Sequence, residues 1–308
     1  MSPVLVLGND SDLAHVQRVM LQQRPELRFC CGEDPQAKDA EVVICWDPPA
    51  ASLGNLPALK LIHSVGAGAD PIFRESSRPP HVPVCRIVDP GHCQGMLEYV
   101  LWGVLHYHRQ LDRALTNQKL RRWDRLAQQP ASRTRVGVMG LGRLGEAAAR
   151  QIALLGFETR GWARSSHRIE GVRTFDAGQL PFFLDGLDIL VCLLPLTAQT
   201  EGILCSDTFA KLAPGAVLIN CGRGAHLRTE DLLLALAENQ LRGALLDVFE
   251  QEPLPPEHPL WTTPGVTLTP HIASSASFEV IAQQILANIE RLETGAPLMN
   301  VVDNALGY

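Results

Sequence analysis

Three side chains able to hold an anion or move a proton stand out in the second half of this chain: Arg223 in LINCGRGAHL, Glu252 in LLDVFEQEPLP and His271 in TLTPHIASS. Each follows an apolar run, so each reads as lying just past the C-terminal end of a strand, where open α/β sheets place their ligands. A guanidinium offers a rigid fork of donors that suits adjacent oxygens, such as a carboxylate beside a carbonyl. An imidazole exchanges a proton near neutral pH, and a carboxylate on its far nitrogen favours the protonated ring. Taken singly, each has a plainer explanation as a structural or solvated residue. Along the chain, 29 residues separate Arg223 from Glu252, and 19 separate Glu252 from His271.

A second motif is VGVMGLGRLGEAAARQIALLG, in which Gly140, Gly142 and Gly145 form G-x-G-x-x-G between a strand pattern and a helical one. The first glycine permits a tight turn, the second lets backbone approach a pyrophosphate, and the third allows helix and strand to pack closely. The loop, with Leu141, Arg143 and Leu144 between its glycines, therefore predicts dinucleotide binding at a helix N-terminus. The next strand ends in GWARSSHR. Where an NAD enzyme carries Asp or Glu for the ribose hydroxyl, this chain has Arg164, 19 residues after Gly145, followed by Ser165 and Ser166. A guanidinium with adjacent hydroxyls suits a 2′-phosphate, so NADPH is the expected cofactor.

Strands must position these groups. VLVLG (4–8), LRFCC (27–31), EVVICW (41–46), LKLIHSV (59–65) and VPVCRIV (82–88) form one series, and RVGVMG, TRGWA, DILVCLLP, GAVLINCG, GALLDVF and GVTLTP form another. Helical patterns alternate with them, which implies βαβ units and parallel sheets. A single helix from about Gln94 to Leu120, carrying Glu98 and Tyr99, is predicted to link the series, and the polar stretch RRWDRLAQQPASRTR reads as an arm or linker. A last helix, FEVIAQQILANIERLETG, is expected to cross back onto the first series. The expected fold is α/β, two Rossmann-like doubly wound parallel-sheet domains with a cleft between them. Residues 1–98 plus 276–308 form a flavodoxin-like substrate-binding domain, and residues 99–275 an NADP-binding Rossmann domain with the arm.

The bulk numbers fit. The 308 residues carry a formal net charge of −6, which argues against a general nucleic-acid partner. No targeting segment is visible, and the apolar runs are too short to span a membrane. None of the eight cysteines forms a Cys-x-x-Cys pair, so buried thiols in a reducing cytoplasm are expected. No His, Cys and carboxylate cluster has metal-ligand spacing.

Together the segments VGAGAD, VDPG…MLEY, GLGRLG, WARS, LLPLTAQT, NCGRG, LDVFEQEPLP, HPLW, TPHIA and the terminal GY resemble the D-isomer-specific 2-hydroxyacid dehydrogenase family, in its glyoxylate/hydroxypyruvate reductase A subgroup, over almost the whole chain. The resemblance implies reduction of a small 2-oxoacid. His271 would be the proton donor, Glu252 its partner and Arg223 the carboxylate and carbonyl ligand. The amides of Gly66, Ala67 and Gly68 would hold the carboxylate's other side, and Trp46 would cap the pocket. Leu194, Pro195, Thr200, Cys221, Gly222 and Asp247 are implied for the cofactor, Asp247 at the nicotinamide carboxamide. It also implies a homodimer. The residues themselves leave open a bulkier D-2-hydroxyacid substrate, an NADH preference, and a non-catalytic dinucleotide sensor on the same scaffold.

Overall fold

The computed structural model describes residues 2–8, 11–274 and 276–304; the terminal Gly307–Tyr308 pair lies outside them. In chain order the first elements are β1 (Val4–Leu7), α1 (Ser11–Gln23), β2 (Phe29–Cys31), β3 (Val42–Cys45), β4 (Leu61–Ser64), α2 (Asp70–Arg74) and β5 (Val84–Cys85). Next come α3 (Pro90–His108), α4 (Leu111–Lys119), β6 (Arg135–Met139), α5 (Arg143–Leu154), β7 (Glu158–Trp162) and β8 (Val172–Phe175). The remainder are α6 (Leu180–Leu184), β9 (Ile189–Cys192), α7 (Ser206–Phe209), β10 (Ala216–Asn220), α8 (Thr229–Ala237), β11 (Leu241–Leu246), β12 (Val266–Leu268) and α9 (Phe278–Thr294). The chain divides into two compact units, Met1–His92 with Ser275–Tyr308, and Cys93–Ser274.

The first unit holds a five-stranded sheet in the order β2-β1-β3-β4-β5, parallel throughout. Successive strand residues face opposite sides of a sheet. Val4 and Val6 enter one buried cluster while Leu5 and Leu7 enter another, so both faces are covered. This is why the strands read as continuous apolar runs without alternation. The helix α9 completes one of those faces: Ile281, Ile285 and Ile289 bury with Leu13, Val16 and Met20 of α1. Gly295, at φ 71°, ends α9 in the left-handed conformation that glycine adopts without steric cost.

The second unit holds a seven-stranded parallel sheet in the order β12-β11-β10-β9-β6-β7-β8. The order reverses between β9 and β6, which is the switch point where such sheets open a crevice at their C-terminal edge. Two readings of the sequence need correction. The strand β8 was not expected: it lies at the sheet edge and buries only Phe175 of its four residues, so it lacks an apolar run. The linking helix is also two helices. The buried residues Met96, Val100, Val104 and Tyr107 all belong to α3, α4 buries none, and Gln110 between them sits at φ 55°. Once the buried face ends at Tyr107, no packing holds the helix straight, although the local composition gives no breaker.

Among the described residues no helix is long and apolar enough to cross a membrane. All eight cysteines are free. No group of three or more His, Cys, Asp or Glu among the described residues could hold a metal ion.

Candidate active site

The strand order places the expected residues of the second unit in a row. His271 follows β12, Asp247 follows β11, Arg223 follows β10, Leu194 follows β9, the glycine loop follows β6 and Arg164 follows β7. His271 Nδ1 lies 2.7 Å from Glu252 Oε2, while Glu252 Oε1 accepts the Phe249 N–H at 2.8 Å. Both carboxylate oxygens are therefore engaged, and one fixes the ring. Burial opposes the Glu252 charge. The His271 ring, the Phe249 amide and the positive charge of Arg223 outweigh it, and the carboxyl stays below its ordinary range. Arg223, half-buried, donates from Nη1 to the Gly222 carbonyl at 2.7 Å.

The turn that carries Arg223 is set by close packing. A Cβ on Gly224 would lie 1.8 Å from the Phe249 carbonyl carbon, and one on Gly222 would lie 2.8 Å from His226 Nδ1. Only glycines let the Arg223 turn lie directly against the segment leading to Glu252. The buried His226 ring accepts the Arg223 N–H on Nδ1 at 3.0 Å, and its Nε2, 3.2 Å from the Pro195 carbonyl, is the donor. It thus joins the loops after β9 and β10, a part the sequence reading did not give it. Its only signal there was its place three residues after Arg223.

His271 sits at φ 55°, a left-handed conformation that costs an L-residue about 1–2 kcal/mol. The segment around it is held by Asp247, which is buried. Its carboxylate accepts the Thr269 hydroxyl at 2.6 Å and the Ile272 and Ala273 amides at 2.8 and 2.9 Å. Burial raises the Asp247 pKa, and these donors oppose the rise. This anchoring of the His271 segment was not legible from spacing.

The glycine loop fits a dinucleotide. A Cβ on Gly145 would meet the Gly140 carbonyl oxygen at 1.7 Å, and Gly140 itself lies at φ 93°. Gly142, the N-cap of α5, has open space where a Cβ would be, so the first amides of the helix can be approached closely. The Gly140 N–H donates to the Trp162 carbonyl at 2.8 Å, which ties the loop to the end of β7, and Arg164, Ser165 and Ser166 are exposed beyond it. Three expected contacts are restricted. Leu141, Leu194 and Cys221 are buried, so their backbone rather than their side chains can line a cofactor, and burial pushes the Cys221 thiol up. Leu144 is half-buried, and Arg143 is exposed. The Thr200 hydroxyl donates to the Pro195 carbonyl at 2.7 Å and accepts the Thr197 amide at 2.8 Å, closing its own loop.

In the first unit, Trp46 follows β3 and the Gly66–Ala67–Gly68 loop follows β4. The two meet: a Cβ on Gly66 would lie 2.3 Å from the Trp46 ring. One expectation changes. The Gly66 N–H donates to Ser64 Oγ at 3.1 Å, which leaves the amides of Ala67 and Gly68 for an anion. Ser64 Oγ also approaches the Gly68 carbonyl at 2.8 Å, and Arg86 donates to the Ala67 carbonyl at 3.2 Å. Neither residue carried a signal in the sequence, since both lie inside or beside buried strands.

The D-isomer specific 2-hydroxyacid dehydrogenase NAD-binding domain model matches residues 101–273. Glyoxylate/hydroxypyruvate reductase A of Serratia proteamaculans (strain 568) is 41% identical over 293 residues, 93% of this chain and 94% of that protein. A crystal structure of a family protein from Klebsiella pneumoniae 342 superposes with a TM-score of 0.91 at 43% identity, covering 98% of this chain and 97% of that one. The NADPH-dependent glyoxylate/hydroxypyruvate reductase of Sinorhizobium meliloti, in complex with NADP and sulfate, gives 0.88 at 37%, covering 100% of both. This chain belongs to the D-isomer specific 2-hydroxyacid dehydrogenase family.

Proposed function

We propose that this chain reduces small 2-oxoacids with NADPH, converting glyoxylate to glycolate and hydroxypyruvate to D-glycerate. The observation that carries the reading is the His271–Glu252 pair, 2.7 Å apart, with Arg223 close enough to act on Glu252 electrostatically. The relatives named above as glyoxylate/hydroxypyruvate reductases support the choice of substrates.

Bound NADPH supplies a hydride for carbon 2 of the substrate. Arg223 binds the substrate carboxylate and polarises the carbonyl, and its charge stabilises the oxygen as it turns alkoxide-like. His271, with Nδ1 held by Glu252, delivers its proton from Nε2 to that oxygen. In the first unit, the amides of Ala67 and Gly68 would hold an anion, beside the Trp46 ring. The Gly142 backbone and the first turn of α5 would hold the pyrophosphate, with Gly140 and Gly145 shaping the turn that exposes them. Arg164, Ser165 and Ser166 would hold the 2′-phosphate, while Leu194, Pro195, Thr200, Cys221, Gly222 and Asp247 would border the rest of the cofactor. In this reading the second unit binds the cofactor and carries Arg223, Glu252 and His271, and the first unit supplies further substrate-binding residues.

NADPH oxidation followed with glyoxylate, hydroxypyruvate, pyruvate and a branched 2-oxoacid tests the substrates. The first two should give the highest kcat/KM, and tight NADPH binding without turnover of any of them would sink the proposal. His271→Ala and Arg223→Ala should each lower the rate about a hundredfold or more. Near-normal turnover in either would remove that residue from the mechanism.

A homodimer is also proposed, supported by Leu111, Leu115, Leu120 and Trp123, which are exposed from α4 into the arm, Trp123 at 96%. Light scattering should give twice the chain mass, and Trp123→Ala should shift it toward the monomer. A cytoplasmic setting is supported by the eight free cysteines.

A further inference from the structure

Tyr99 lies on α3, at the end of the MLEY segment and far in sequence from Arg223, Glu252 and His271. Its hydroxyl is 2.5 Å from Thr269 Oγ1, which is 2.6 Å from Asp247 Oδ1. A threonine hydroxyl has one proton to give, and an ionised carboxylate can only accept. The Thr269 proton therefore goes to Asp247, and Thr269 Oγ1 must accept the proton of Tyr99. The chain of donors runs one way, from Tyr99 through Thr269 to Asp247. The same carboxylate receives the Ile272 and Ala273 amides, and the Asp247 carbonyl accepts the His271 N–H at 2.9 Å. The Thr269, His271, Ile272 and Ala273 donors all belong to the segment that carries His271 at its positive φ, a conformation that persists only where its surroundings over-determine it.

We propose that Tyr99 is a positioning residue for His271: by donating to Thr269 it commits the threonine proton to Asp247, and so maintains the ionised carboxylate that grips the loop bearing the imidazole. The proposal rests on the function above only for the role of His271 as proton donor. The titratable groups that face this chain are His271, Cys221 and Tyr107. Burial pushes the Tyr107 phenol up to about 12 and the Cys221 thiol well above its ordinary value, so both stay neutral at working pH. Burial already lifts the Asp247 pKa against the pull of Thr269. Losing the Tyr99 donor frees the Thr269 hydroxyl to turn away, and Asp247 then protonates at a higher pH.

The wild-type chain is compared with Tyr99→Phe, Thr269→Val and Thr269→Ser. The first of these keeps the ring, tilted against Trp102, and removes only the donor. Carbon-13 NMR of aspartate-labelled protein, with the Asp247 signal assigned through Asp247→Asn, reads the carboxylate without any substrate. Its titration midpoint should rise by about half a pH unit or more in Tyr99→Phe and in Thr269→Val, and should return to the wild-type value in Thr269→Ser. In Tyr99→Phe, kcat should fall about three- to tenfold while KM for NADPH stays within about twofold, and the acid limb of the rate profile should move to higher pH. An Asp247 midpoint in Tyr99→Phe that matches wild type would overturn the proposal and leave Tyr99 a packing residue. If the wild type turns over neither 2-oxoacid, the substrate reading fails, and the carboxylate titration still decides for or against Tyr99.

Discussion

In the proposed function, cofactor choice turns on Arg164. It follows β7 with Ser165 and Ser166, all exposed, in the strand next to the one that ends in the glycine loop. No Asp or Glu occupies the place where a ribose 2′-hydroxyl would be recognised. Contacts from a guanidinium to a phosphate are charge-assisted and about 1.5–3 kcal/mol strong, which is about ten- to a hundredfold in affinity. The Arg164→Ala variant should therefore lose NADPH affinity by about that factor. NADH lacks the phosphate, so its Kd should change by less than about twofold. Calorimetric titration with both nucleotides decides it, and equal losses would show that Arg164 does not read the 2′-phosphate.

At the scale of elements, the site depends on how closely two loops approach. Gly224 touches backbone, with the Phe249 carbonyl carbon 1.8 Å and the Glu250 nitrogen 2.2 Å from any added Cβ, so no side-chain rotation relieves the clash. In Gly224→Ala the Arg223 turn and the Phe249–Glu252 segment must part. Overpacking of this kind costs about 1–3 kcal/mol, or several degrees in Tm for a unit of this size. Because the same shift moves Arg223 relative to Glu252, kcat/KM should fall about a hundredfold. A variant with normal kcat/KM would mean that the turn does not fix Arg223. These turn glycines were legible because NCGRG and GLGRLG have few other uses between a strand and a helix. The strands were legible for a related reason: sheets covered on both faces leave continuous apolar runs. What escaped was structure whose cause is tertiary. The edge strand β8 has one buried residue, the helix break at Gln110 has no local breaker, and Ser64, Arg86, Tyr99 and His226 act through partners distant in sequence or hidden in loops.

At the scale of the whole molecule, stability is tied to pH through a histidine outside the proposed catalytic set. His63, in β4, is fully buried; its Nδ1 donates to the Ser64 carbonyl at 2.8 Å, so its Nε2 accepts from Asn288 of α9 at 3.1 Å. Asn288 also binds both the N–H and the carbonyl of Met299, so this one ring links the central sheet of the first unit to the chain's return segment. Both ring nitrogens are used in the neutral form. Burial lowers the pKa from 6.5 to about 4 despite the hydrogen bond to Ser64, which favours the charge. Above pH 6.5 neither the folded nor the unfolded chain carries this proton, and the full stability is present. Between 6.5 and about 4 the unfolded chain binds the proton and the folded chain does not, so stability falls with the pH; below about 4 both bind it and the loss stops. At 1.36 kcal/mol per pH unit, His63 alone should remove about 3 kcal/mol across that window. Denaturant unfolding of wild type and of His63→Gln between pH 7 and pH 4 should show the wild type losing about that much more than the variant. Parallel decline of the two curves would mean that His63 takes up its proton in the folded state, and that the junction it makes with α9 is not closed to water.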